Sequence, residues 1–187
     1  MHSFLDISVV TLGWVMVASY IWSTKNHFSA ERFPLGAKLV SAAVIGCALA
    51  LSWTMAVADQ PLPFALAGLA LQGLSAALFW WAIAASRAAR LRFAFDTDKP
   101  AGLLTDGPYG RIRHPFYASY LLFWTGWSLA SASPSSAAIV AFFAFAYTMA
   151  AREEELNFAR SPLADDYGRY RSVTGRFWPR LGDRSAA

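Results

Sequence analysis

Residues 116–151 read FYASYLLFWTGWSLASASPSSAAIVAFFAFAYTMAA, two apolar blocks parted by the small, turn-forming run at 131–136 with Pro134 at its centre. Neither block contains Lys, Arg, Asp or Glu. A helix needs roughly 17 to 25 mostly apolar residues to cross hydrocarbon, so 116–132 and 134–151 read as two short spans closed by a tight turn at one surface, a helical hairpin. Working outward, comparable blocks occupy residues 4–22, 37–58 and 62–85. With 56% hydrophobic residues and a mean hydropathy of +0.35, gathered in blocks and not at amphipathic spacing, a soluble globule is excluded. The expected fold is an all-α integral membrane helical bundle of about five transmembrane helices.

All sixteen Lys and Arg fall in three groups: Lys25, Arg32 and Lys38; six from Arg87 to Arg113; and seven from Arg152 to Arg184. The N-terminus, residues 59–61 and residues 131–136 carry none. Basic residues in short loops are retained on the cytoplasmic side, which predicts the N-terminus outside and the C-terminus cytoplasmic, as an odd span number requires. The net charge of +4 then reads as topology and attraction to anionic headgroups, worth about 1 kcal/mol per basic residue near the surface, and nucleic acid is not an expected partner. Nothing basic but His2 precedes the first block, Asp6 lies at its start and Lys25 follows it, which suits a retained reverse-oriented anchor and not a secretory signal.

The single Cys47 lies in the second block, so neither a disulfide within the chain nor a thiolate cluster can form; packing is its expected role. Trp14, Trp22, Trp53, Trp80, Trp81, Trp124 and Trp127 sit near block ends, where interface belts are expected. Gly46, Ala50, Gly68, Gly73, Ala76 and Ala77 are small enough to let helices approach in lipid.

Polar material outside the blocks is confined to residues 86–113 and 152–187, both assigned to the cytoplasmic face, and any chemistry is built from these. Residues 96–102 and 106–110 are rich in turn formers, so the connector wraps. Pro115 reads as a first-turn proline and His114 as the N-cap of the fourth span, held extended by the following proline and aimed beyond the helix end beside Arg113 and Tyr109. The plain alternative is a His that caps and an Arg that snorkels. Glu153, Glu154 and Glu155 follow the fifth block and fan over about 200° of helix surface, so at most two face one cavity. At a helix C-terminus they would oppose the macrodipole, unless they are simply a solvated run paired with Arg152 and Arg160. A carboxylate accepts both hydroxyls of a ribose and attracts a cation, so a positively charged nucleoside would suit them.

Several classes lack their motifs. There is no Gly-x-Gly-x-x-Gly after a strand and no phosphate-binding loop, no Gly-x-Ser-x-Gly elbow, and three His in total cannot build a histidine-rich metal centre. Charges inside the spans are nearly absent, which disfavours an ion pathway.

The string Leu104-Thr105-Asp106-Gly107-Pro108-Tyr109, then Arg113-His114-Pro115-Phe116-Tyr117, Glu153-Glu154 after a hairpin, Tyr167-x-x-Tyr170 and Arg176-Phe177-x-Pro179 resembles the isoprenylcysteine carboxyl methyltransferase family and its phospholipid methyltransferase relatives over about the last 85 residues. The resemblance implies S-adenosylmethionine as methyl donor on the cytoplasmic side of the inner membrane, with no metal. Its donor-binding residues would be Gly107, Tyr109, Arg113, His114, Tyr117, Glu153 and Glu154, with Arg176, Tyr170 and Glu154 serving catalysis. It implies a lipophilic acceptor reached from membrane lipid, with no obligatory protein partner. Residues 1–86 would then be a three-span region and 87–187 the methyltransferase core. A carboxylate acceptor, isoprenylcysteine-like or another lipid, is the first expectation and phosphatidylethanolamine-type N-methylation the alternative. Prenylcysteine enzymes carry an arginine where this chain has Val173, with Arg171 and Arg176 nearby. A sterol-type reductase binding NADPH and a non-enzymatic scaffold are the readings from other classes.

Overall fold

The computed structural model describes residues 4–26, 35–87 and 103–180. Six helices follow in order: α1 Phe4–Asn26, α2 Leu35–Val57, α3 Leu62–Ser86, α4 Pro115–Ala130, α5 Ala137–Ala159 and α6 Ala164–Val173. Among the described residues the only extended pairing is a single parallel bridge between Ile112 and Gly175. The protein is an all-α membrane bundle. The turn-rich stretch expected at 96–102 lies outside the described residues.

Among the described residues, four segments are long and apolar enough to cross a membrane: Phe4–Thr24, Lys38–Val57, Leu62–Ser86 and Pro134–Ala159. The expected fourth span forms α4, whose 16 residues rise about 24 Å, short of the roughly 30 Å of hydrocarbon. What α4 lacks in length it has in burial: Phe123, Trp124 and Trp127 are fully buried. It packs against α3 most extensively, and against α1 and α5. Trp124 and Trp127 are therefore core and not interface-belt residues, whereas Trp53 and Phe145 face outward at 70% and 68% exposure, as lipid-facing side chains do. Trp14 donates to the Ser52 hydroxyl (3.0 Å) and meets Trp127 edge to face. Cys47 packs at the edge of the core. That core is continuous across residue 86, since Tyr20, Phe79, Phe116 and Phe123 belong to one cluster.

The hairpin closes as its sequence requires. Ala132 takes a left-handed turn (φ 47°), a short 3-10 turn covers Pro134–Ser136, and the Ser136 hydroxyl donates to the Ser128 carbonyl (3.0 Å). The α5 helix continues through the glutamates to Ala159. Glu153, Glu154 and Glu155 are therefore helical residues more than a turn from its end, and the macrodipole penalty, which is confined to the last turn, does not bear on them.

Of the small residues, Gly68 has the close approach. A Cβ there would meet the Gly126 carbonyl oxygen at 2.4 Å and Ala130 Cβ at 2.5 Å, and one on Gly126 would meet the Gly68 carbonyl at 2.8 Å. The two glycines let α3 and α4 touch backbone to backbone, which is how helices gain packing energy in lipid. Gly68→Val is expected to cost about 1–3 kcal/mol by overpacking. Gly46→Val, at a position with nothing within 4 Å, should leave the melting temperature in detergent unchanged. Equal melting temperatures for the two variants would refute the crossing as a stability determinant.

Candidate functional site

The polar cluster forms where the connector, the end of α5 and the tail meet. Gly107 adopts φ +59°, and a Cβ there would lie 2.8 Å from that of Ala85, so only glycine lets the turn seat against α3. The Tyr109 and Arg111 amides donate to the Asp106 and Pro108 carbonyls, tightening a 3-10 turn over Gly107–Gly110. The chain then runs extended beside the tail: Arg113 N–H donates to the Gly175 carbonyl (2.8 Å), His114 N–H to that of Arg176 (3.1 Å), and Gly175 N–H to that of Arg111 (3.1 Å). This pairing sets Arg113, His114 and Arg176 side by side, although 62 residues separate the last two in sequence. Pro115 opens α4 as expected, with His114 at the N-cap, but the His side chain makes no capping bond.

The His114 ring reaches across to α5 instead. Its Nδ1 lies 3.0 Å from Glu154 Oε2 and its Nε2 3.3 Å from Glu155 Oε1. Glu155 is the hub: Oε1 accepts from Arg113 Nε (3.1 Å) and Nη2 (3.1 Å) and from Arg176 Nε (3.1 Å), and Oε2 accepts from Arg176 Nη2 (2.6 Å). Arg113 Nη1 donates to the Thr174 carbonyl as well, so this buried guanidinium does not snorkel. The Tyr117 hydroxyl donates to Glu154 Oε1 (2.7 Å), and its ring stacks on His114 at 5.7 Å between centroids.

A neutral imidazole would point an unprotonated nitrogen at a carboxylate, so the charged form suits this geometry. Burial pulls the His114 pKa down, but hydrogen bonds and charge from Glu154 and Glu155 outweigh it and leave the pKa raised. The facing groups are these two glutamates, Tyr117 and Phe177, with Arg113 and Arg176 behind Glu155. A raised folded-state pKa means the stabilisation is complete below the unfolded value of about 6.5 and is lost as pH climbs through the folded value. The melting-temperature advantage of the wild type over His114→Gln should therefore shrink between mildly acidic and alkaline buffer, and a constant difference would contradict the charged imidazole.

The structure brings together Arg113, His114, Tyr117, Glu154 and Arg176 of the expected residues and adds Glu155. Glu153 is exposed and outside the cluster, because one helical step of 100° turns it away from the face that carries Glu154 and Glu155. Gly107, Tyr109 and Tyr170 stand one layer behind. Tyr109 is buried, and the Tyr170 hydroxyl donates to its carbonyl (2.6 Å), tying α6 to the turn. Burial raises the Tyr170 pKa above the usual phenol range, which keeps the hydroxyl protonated as the donor of this latch. Beside the latch, Thr105, Gly110, Tyr170, Val173 and Thr174 line an open cleft of about 780 Å³. The signal for Glu155 was present in the sequence: Phe143, Tyr147 and Ala151 are buried on α5, and the next member of that four-residue row is Glu155.

The family model described as phospholipid methyltransferase matches residues 64–161, more than half of the chain. The match begins in α3, earlier than the motif string, and takes in the connector, the hairpin and all three glutamates. No curated protein and no solved structure matches the chain. Two helices meeting backbone to backbone, a hairpin and the Arg113, His114, Glu154 and Glu155 side chains at its open end lie inside the matched segment, and the chain belongs to the phospholipid methyltransferase family, as a membrane methyltransferase.

Proposed function

We propose that the protein transfers a methyl group from S-adenosylmethionine to a lipophilic acceptor drawn from the bilayer, at a site on the cytoplasmic side of the inner membrane. The observation that carries this is the convergence of Glu154, His114 and Tyr117 at the open end of the α4/α5 hairpin. Arg113 and Arg176, from the second and third basic groups, join them and support the cytoplasmic placement through the positive-inside rule.

The residues present fit the donor. Glu155 is saturated by Arg113, Arg176 and His114, while Glu154 keeps 27% of its side chain exposed and can accept ribose hydroxyls. Tyr117, stacked with both His114 and Tyr147, contributes through its hydroxyl on Glu154. When bound, S-adenosylmethionine supplies an electrophilic methyl and departs as a neutral thioether. The chain's task is alignment and exclusion of water: Glu154 and Tyr117 hold, His114 orients Glu154 by its Nδ1–H, and Glu155 keeps both arginines in register. A carboxylate acceptor needs no base. An amine acceptor must shed a proton, and with Tyr170 donating to a carbonyl and both His114 nitrogens facing carboxylates, Glu154 is the remaining acceptor.

A carboxylate headgroup, the first expectation from the resemblance, would need an arginine. Arg176 is committed to Glu155 through two contacts, and Val173 lines the cleft, which leaves Arg171 of the two arginines nearby in the tail. The commitment of Arg113 and Arg176 to Glu155 favours a second reading, N-methylation of an amino phospholipid such as phosphatidylethanolamine. Purified protein incubated with methyl-labelled donor and a total lipid extract should yield one labelled lipid, whose label base releases as methanol if it is a methyl ester and leaves on the amine if it is an N-methyl group. Calorimetry should show binding of S-adenosylhomocysteine and not NADPH. The reverse result identifies a reductase, and binding of neither a scaffold.

A further inference from the structure

An unbroken pile of near-parallel rings descends from the charge cluster into the bundle between α4 and α5. His114 stacks on Tyr117 (5.7 Å, 23°), Tyr117 on Tyr147 (5.5 Å, 12°), Tyr147 on Phe143 (5.5 Å, 21°) and Phe143 on Trp124 (4.2 Å, 5°). Trp124 Nε1 donates to the Tyr147 hydroxyl (3.4 Å), and Tyr147 is buried.

Tyr147 and Glu154 are seven residues apart on α5, hence on one face and about 10.5 Å apart along the axis. Tyr117 bridges them from α4, lying flat on the Tyr147 ring while its hydroxyl donates to Glu154 Oε1. A tyrosine hydroxyl is aimed by only two side-chain torsions, so a ring held by two stacked neighbours has one direction open to its O–H, and a ring held by one has several. His114 and Tyr147 both stack against the Tyr117 ring. With Glu154 read as the donor ligand proposed above, we propose that Tyr147 is a positioning residue of the donor site: by clamping Tyr117 against His114 it fixes the Tyr117 hydroxyl on Glu154. Tyr147 acts through that contact and meets neither donor nor acceptor. Below it the column continues through Phe143 to Trp124 in the hairpin core.

The test compares holes of similar kind at two depths. Affinity for S-adenosylhomocysteine should stay within about twofold in Tyr147→Phe, which keeps the ring, and fall about tenfold in Tyr147→Leu. Phe143→Leu opens the column one ring farther from Glu154; it should lower the melting temperature comparably and leave affinity within about twofold. Should Tyr147→Leu not accumulate, Tyr147→Met carries the same expectation. Equal affinity losses at 143 and 147, or none at 147, overturn the assignment. A thermal double-mutant cycle on ligand-free protein reads the same clamp without any donor. Tyr117→Phe should cost less in the Tyr147→Leu background than in the wild type, and additivity refutes the positioning role. A wild type that fails to bind S-adenosylhomocysteine removes the donor reading alone, and the cycle still decides whether Tyr147 aims Tyr117.

Discussion

Replacing Glu154 with alanine is expected to abolish measurable donor binding while the protein still accumulates, folded, in the membrane. Three contacts converge on this carboxylate: the Tyr117 hydroxyl at 2.7 Å, His114 Nδ1 at 3.0 Å, and, on the proposed reading, the donor's ribose. Each hydrogen bond to a charged group is worth about 1.5–3 kcal/mol, and two lost from the bound state weaken affinity by roughly a hundredfold or more. Stability should fall modestly, because Glu154 is partly exposed and the buried His114 keeps Glu155 as a partner. Glu154→Gln keeps an acceptor for Tyr117 and should retain part of the affinity. S-adenosylhomocysteine titration of the two variants beside the wild type, with a melting curve for each, reads both quantities. Undiminished affinity in Glu154→Ala would remove the carboxylate from the donor site.

The hairpin was legible because its blocks are free of charge over 36 residues and broken by one proline-centred turn. The path of α4 and α5 was less so. Blocks of hydrophobicity mark where a chain prefers lipid and not where a helix stops: α5 runs on through Arg152 and three glutamates because Glu154 and Glu155 find partners on the connector and tail, contacts that no local pattern announces. For the same reason Trp124 and Trp127, placed near block ends, belong to the core. Their partners Phe143, Trp14 and Phe123 lie on the same hairpin or on another helix, and composition does not distinguish a tryptophan facing headgroups from one facing a neighbour. The choice among Glu153, Glu154 and Glu155 is a question of helix phase. Continuing the buried row 143, 147, 151 reaches Glu155, and adding seven to Tyr147 reaches Glu154. The pairing of residues 111–114 with 175–176 had no signal in the sequence, since a single bridge requires no strand propensity. It is the contact that turns Arg176 from a free tail residue into a partner of Glu155.

Adjacent glutamates should therefore give opposite phenotypes, and Glu155→Ala is the sharper test of how the cluster is held. Glu155 is 6% exposed and Arg113 8%, so alanine strands a buried guanidinium, together with Arg176 and the Nε2 side of His114. Breaking a buried pair from one side typically costs about 3–5 kcal/mol, because the remaining charge stays desolvated without its counter-ion. That is a large share of the stability of most folds. The expected result is a markedly lowered melting temperature in detergent with reduced accumulation in membranes, and loss of donor binding only as a consequence. Arg176→Ala should cost much less, since Arg176 is 29% exposed and Glu155 keeps Arg113 and His114. Removing both charges separates pairing from packing: Glu155→Leu combined with Arg113→Met replaces the ions with apolar groups of similar bulk, which is often neutral for stability, and should recover much of the melting temperature lost in Glu155→Ala. Had the two glutamates equivalent roles, Glu155→Ala would resemble Glu154→Ala, with an intact fold and no affinity. That outcome would move Glu155 from the scaffold of the site into its binding surface.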